Sequence, residues 1–194
     1  VFDYTVLDLA LMGRYAHLGP FGFETAADLL AVRHALAATG TDDLEDRHFD
    51  TLSGGEKQRV VIASALAQFE DDDAGDARLL ILDEPTAALD LHYQLEVAQL
   101  LRHLAEARGL TLLVSTHDLQ FAWQICDRVV LLQRGRVLAD GPTVDTLTPA
   151  HLQTLYGVQV DRMTHDDGSV SLVPVSLVGR GRRGGDASTD GARR

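Results

Sequence analysis

Residues 79–90 read LLILDEPTAALD. An apolar run goes straight into two acids and a proline, as a strand of an open α/β sheet does at its carboxyl end. A continuous apolar run marks a strand buried in a parallel sheet, and such sheets take their ligands just beyond the strand ends. Asp83 and Glu84 therefore stand where a ligand would bind. Asp83 suits a magnesium ion reached through its water shell, and Glu84 suits a base or orienter for an attacking water. The same residues also suit a plain strand and a solvated turn, since Asp and Pro are turn formers.

Downstream, a helical pattern runs from about Leu91 to Ala107 and a second apolar strand, TLLVST, covers 111–116. It ends in THD (116–118). His117, beside the Asp-Glu pair of the preceding strand, can hydrogen-bond a γ-phosphate. It reads equally as a surface histidine in a turn, with Asp118 capping the helix from Leu119 to Ile125. RVVLLQRGRVLADG (128–141) reads as a hairpin about Arg134-Gly135, and TPAHLQTLYGV (148–158) as a small helix with Pro149 in its first turn. Strands alternating with helices predict an α/β domain with a largely parallel sheet.

Upstream, DTLSGGEKQRVVIAS (50–64) places Ser-Gly-Gly directly before a helix that runs to about Gln68. Glycine lets a backbone approach a ligand closely, and a helix start offers free amides and partial positive charge. Together they make a phosphate site, or simply a serine cap with nothing bound. Asp in place of Gly55 is expected to be tolerated there as a cap while obstructing a phosphate. Before this lie two helical stretches, 5–15 with Val6, Leu9 and Gly13 at helical spacing, and 24–40 with Leu29, Val32 and Leu36 on one face and Gly40 as the stop. TDDLEDR (41–47) is a short polar connection, EDDDAGDA (70–77) an acidic surface loop, and the Gly/Arg/Ser-rich stretch 179–194 is expected to be disordered.

Composition narrows the class. The chain has 194 residues, 45% of them hydrophobic, enough for one substantial core, and a net charge of -12 argues against a nonspecific grip on nucleic acid. One cysteine, Cys126, excludes an internal disulfide and fits a reducing compartment. No run reaches the length of a membrane-spanning helix, so the chain reads as cytosolic.

In combination, LSGGE (52–56), LLILDE (79–84), AALD (87–90) and His117 resemble the signature, Walker B strand, D-loop and switch histidine of the ATPase subunit of ABC transporters. The resemblance covers about residues 1–160 and implies an incomplete P-loop NTPase (RecA-like) domain of α/β class with a helical signature subdomain. It divides the chain into a helical subdomain (1–68), a RecA-like core (69–160), a C-terminal extension (161–178) and the tail (179–194). By resemblance Ser53, Gly54, Gly55, Glu56 and Asp90 face ATP, the Ser-Gly-Gly start touching the γ-phosphate held by the opposite subunit of a head-to-tail homodimer. The same resemblance implies that Glu84 and His117 carry hydrolysis and that Asp83 faces Mg2+ through water. The helical stretch would dock on a membrane permease at the cytoplasmic face, with a substrate-binding protein as an indirect partner and no nucleic acid.

Finer features, FDYTVLDLALMGRYAHL (2–18), LDLHYQ (89–94) and LTPAHLQTLYGVQV (147–160), are similar to importers of iron chelates, haem and cobalamin, with ferric-siderophore importers the nearest branch. Two other readings compete. ABC-type ATPases of DNA repair or chromosome maintenance put a long coiled coil before the signature, whereas only about fifty residues without sustained heptads precede it here. A fragment that docks on a permease without hydrolysing ATP is the second. The departure from the family is the missing G-x-x-x-x-G-K-[ST]: the only lysine is Lys57, inside the signature. Truncation before the phosphate loop is the expectation, which leaves the chain inactive alone.

Overall fold

Three helices of the N-terminal half begin in the same way. Thr5, Thr25 and Ser53 sit in extended backbone and accept from the amide three residues on, while Asp8, Asp28 and Glu56 bond back to the cap's own N–H. Each reciprocal pair satisfies two amides that a helix start leaves without partners. They open α1 (Val6–Leu11), α2 (Ala26–Ala38) and α3 (Gly54–Ala67). The structure, a computed structural model, describes residues 3–18, 22–69, 78–166 and 170–178. The acidic loop at 70–77 and the tail from 179 lie outside the described residues.

The helix expected over 5–15 is α-helical only to Leu11 and tightens into a 3-10 turn over Met12–Ala16. That turn is fixed by close packing. A Cβ on Gly13 would fall 2.0 Å from the carbonyl oxygen of Ser64, so only glycine lets it lie on α3. Arg14, 2% exposed, donates through Nε to Asp28 at 2.9 Å and through Nη1 to the Ala67 carbonyl at 2.7 Å. One guanidinium thus ties the turn to the start of α2 and the end of α3. Removing one partner of such a buried pair costs about 3–5 kcal/mol.

The α/β layer follows. β1 (Leu79–Asp83) pairs in parallel with β2 (Thr111–Ser115), and α4 (Leu91–Arg108) crosses between them. Asp90 caps α4, and Gly109 ends it at φ +62. Leu80 and Leu82 of β1 join Val60 and Leu66 of α3, Val97, Leu101 and Leu104 of α4, and Phe121 of α5 (Leu119–Ile125) in one core. The apolar run predicts a fully buried strand, and here the structure differs. Only alternate residues point inward; Leu79 is 48%, Ile81 64% and Leu113 56% exposed. Side chains alternate across a strand, and the helices that form this core pack on one face of the two strands.

The chain divides into two compact units, residues 1–125 and 126–194. In the second, β3 (Arg128–Gln133) and β4 (Arg136–Pro142) form the expected hairpin, turning at Arg134 (φ +51) and Gly135 (φ +73). Two left-handed residues match the twist of the flanking strands. α6 (Thr143–Thr146) follows, then α7 (Pro149–Tyr156), capped by Thr148 with proline at its first position and stopped by Gly157 at φ +69. β5 (Val158–Thr164) and β6 (Val170–Leu177) close the described chain as a second antiparallel hairpin. β5 runs through residues 160 and 161, where the sequence places the start of an extension. Among the described residues no helix is long and apolar enough to cross a membrane.

Candidate functional site

The parallel register sets Asp83 opposite Ser115 at the carboxyl ends of β1 and β2. The Ser115 hydroxyl donates to the Asp83 carboxylate. The next amide, that of Glu84, donates to the Ser115 carbonyl at 3.0 Å and lies 3.3 Å from the Ser115 hydroxyl oxygen. Ser115 therefore holds both acids, one through its side chain and the other through backbone.

Glu84 is bent out of the strand in the left-handed region, φ +45, where non-glycine residues are uncommon. A residue held in such a region costs on the order of 1–3 kcal/mol. The bend carries the carboxylate to His117, with Oε2 2.9 Å from Nδ1. A carboxylate only accepts, so Nδ1 carries the proton and the free tip of the ring is Nε2. The hydrogen bond and charge of Glu84 raise the His117 pKa above its ordinary value. Both side chains are open to solvent, 43% for Glu84 and 74% for His117. Asp118 accepts from the amides of Gln120 at 2.9 Å and Phe121 at 3.0 Å, capping α5. The cap expected of Asp118 is thus present, while His117 is bonded to Glu84.

The Ser-Gly-Gly start lies at a second place. Glu56 accepts from the Ser53 amide at 2.7 Å, and that hydrogen bond holds its carboxyl below the usual range. Gly54 is exposed and Gly55 buried. Asp90 is engaged by the amide of Tyr93 at 3.2 Å, and Ala88 before it is left-handed at φ +62. Asp83, Glu84 and His117 are brought together; Ser53–Glu56 sit beside Leu89 and Tyr93 instead. Among the described residues no hydrogen bond or ion pair joins the two groups.

Sequence reasoning missed two residues. Ser115 was legible as the residue opposite Asp83 once the two strands are aligned. Tyr93 was not, because its ring fills the space that a Cβ on Gly55 would need, 2.2 Å from Tyr93 Cδ1. This corrects the expectation that Asp is tolerated at position 55: the cap logic holds for the backbone, but the side-chain volume is occupied. Gly55→Ala should destabilise this chain by about 1–3 kcal/mol, the usual cost of overpacking, and Gly55→Asp by at least as much. Urea unfolding checks it, with Tyr93→Ala expected to offset much of the loss. Stability unchanged in Gly55→Ala would mean that the ring moves aside freely.

Residues 8–87 match the protein family described as ABC transporter. A solved ABC transporter described as of metal-chelate type, in an inward-facing conformation, aligns at TM-score 0.81 and 32% identity, over 90% of this chain and 68% of that one. The chain belongs to the ABC transporter family. Its fold is accordingly that of an ABC ATPase domain, an α/β fold of P-loop NTPase type. The hemin import ATP-binding protein of Bordetella pertussis is 42% identical over 166 residues, 84% of this chain and 62% of that protein. The cobalamin import ATP-binding protein of Halobacterium salinarum is 35% identical over 206 residues, all of this chain and 48% of that protein. The chain spans less than two thirds of the length of these curated relatives.

Proposed function

We propose that the complete protein is the ATP-hydrolysing subunit of an ABC importer for hemin, with cobalamin and iron-siderophore complexes as related cargoes. The observation that carries the hydrolytic reading is the Glu84–His117 contact at 2.9 Å, one residue past Asp83 at the end of a parallel strand. The cargo class is supported by the names of the hemin and cobalamin import relatives.

The residues present fit the γ-phosphate end of a magnesium nucleotide. Asp83 offers a single carboxylate steadied by Ser115. That suits a magnesium ion carried on nucleotide phosphates and touched by Asp83 through water, as Mg2+ retains much of its hydration. Bound ATP supplies the phosphoanhydride that water cleaves. Glu84 orients that water and accepts its proton. His117, its Nδ1–H spent on Glu84, presents Nε2; in the imidazolium form that Glu84 favours, Nε2–H donates outward, where a phosphate oxygen would be stabilised.

Ser53, Gly54 and Gly55 serve the partner subunit's nucleotide in a head-to-tail homodimer, with Glu56 and Asp90 shaping the two helix starts beside it. The subunit works at the cytoplasmic face of the membrane with a permease and, through it, a substrate-binding protein. A version extended N-terminally with a phosphate-loop segment should hydrolyse ATP, and this chain alone should not exceed background. Reconstituted with its permease, the extended protein should be stimulated by hemin and its binding protein. Stimulation by a ferric siderophore alone would reassign the cargo, and an extended, folded protein without ATPase activity would remove the hydrolytic reading.

A further inference from the structure

The N-terminal turns of α3 and α4 are fastened to each other at two levels. At the first, Gly55 lies against the Tyr93 ring, and a Cβ on Gly54 would be 3.2 Å from Leu89 Cδ2. One turn further along, Arg59 of α3 reaches Glu96 of α4, Nη1 to Oε2 at 3.7 Å. The other oxygen of Glu96 meets His92 Nε2 at 3.2 Å. Arg59 Nε is buried with no hydrogen-bond partner, so drawing the guanidinium off Glu96 would leave a partly desolvated cation still less satisfied.

These contacts bear on geometry more than on stability, because a partly exposed ion pair contributes little by itself. Ser53 caps α3 and Asp90 caps α4. The turn before α4 is internally braced: the Ala87 amide donates to the Glu84 carbonyl at 3.0 Å, the Leu89 amide to the Thr86 carbonyl at 3.2 Å, and Gln94 Nε2 to the Leu89 carbonyl at 3.1 Å. A fastening between the two helices therefore sets residues 53–55 against residues 87–90.

We propose that Arg59 and Glu96 are positioning residues that hold the 53–55 helix start and the 87–90 turn as one edge, presented together to the partner subunit's nucleotide. The proposal rests on the in-trans reading of Ser53–Gly55. Its physical content is that a misplacement of about 1 Å at groups that orient a reacting phosphate is costly in rate, while the residues that prevent it touch no ligand.

The test uses full-length subunits in mixed dimers with one Glu84→Gln lesion. With Arg59→Glu and Glu84→Gln in different subunits, the surviving site uses an unaltered helix start. With both in the same subunit, the surviving site uses the altered one. Arg59→Glu sets a carboxylate against Glu96 and three residues from Glu56, and like charges in contact are strongly unfavourable. Turnover should therefore fall about tenfold in the second arrangement only, relative to a dimer of wild type and Glu84→Gln. Adding Glu96→Arg to the Arg59→Glu subunit should restore most of it. A merely structural lesion would lower both arrangements alike and would depress the melting temperature.

Ser53→Ala in the same two arrangements tests the in-trans reading separately. If Ser53→Ala acts in trans but Arg59→Glu lowers both arrangements equally, lowers neither, or is not rescued by the swap, the positioning role is wrong. If Ser53→Ala itself acts in cis, the in-trans reading fails and the positioning role with it.

Discussion

Full-length subunits carrying Glu84→Gln are expected to bind ATP and form ATP-dependent dimers while turning over about 10²- to 10⁴-fold more slowly than wild type. The size follows from losing a positioned base. The clean separation from binding follows from how Glu84 is held. Its bend at φ +45 is a backbone feature, secured by its own amide on Ser115 and by the Ala87 amide on its carbonyl. Glutamine keeps that backbone and the side chain's reach, and its carbonyl oxygen still accepts from His117. What it loses is the capacity to take a proton. Phosphate release and nucleotide binding measured side by side decide the matter. Turnover within about tenfold of wild type would take Glu84 out of the role of base.

The strands β1 and β2, the longer helices and the first hairpin turn were legible because each carries its own local signal. LLILD and TLLVST are apolar runs of strand length; Thr5, Thr25 and Ser53 each have an acid three residues on; Arg134-Gly135 is a two-residue turn between apolar runs. What was illegible depends on partners distant in sequence. The exposure of Ile81 is set by which face of the sheet the helices cover, and an apolar run looks the same whether one face or both are packed. The β5–β6 hairpin was missed because its strands, VQVDRMT and VSLVPVSL, alternate weakly and a proline interrupts the second.

The candidate site divides along the same line. Asp83, Glu84 and His117 sit at strand ends, so parallel pairing alone brings them together. Gly55 reads from sequence as a place where a ligand comes near, yet its Cβ direction is filled by Tyr93 of another helix. A glycine does not disclose whether a ligand or the protein itself is the close neighbour. The buried tie from Arg14 to Asp28 and Ala67 was equally hidden, since an arginine in an amphipathic stretch gives no sign of being enclosed.

His117→Ala is expected to lower turnover of the full-length subunit by about 10²- to 10³-fold, the usual cost of losing one donor aimed at developing charge. The competing account, that His117 only supports the fold, makes a different forecast. The ring is 74% exposed, so its removal should leave the melting temperature of this chain nearly unchanged. Charge state gives an independent handle. Glu84 raises the His117 pKa in the folded chain above the unfolded value, so while Glu84 is ionised the pair is complete below the ordinary histidine value and is lost as pH rises through the raised one. The pair's small, solvent-screened contribution to stability follows the same sense: full below the unfolded histidine pKa, gone above the folded one. A proton-NMR titration of His117 should therefore show a midpoint above the ordinary histidine value, returning toward it in Glu84→Gln. Turnover of the complete subunit should weaken over the same rise in pH, because Nε2 stops donating when the ring becomes neutral. A His117 midpoint that does not move in Glu84→Gln would mean that the two side chains are not paired in solution, and a melting temperature that falls in step with turnover would make His117 a structural residue.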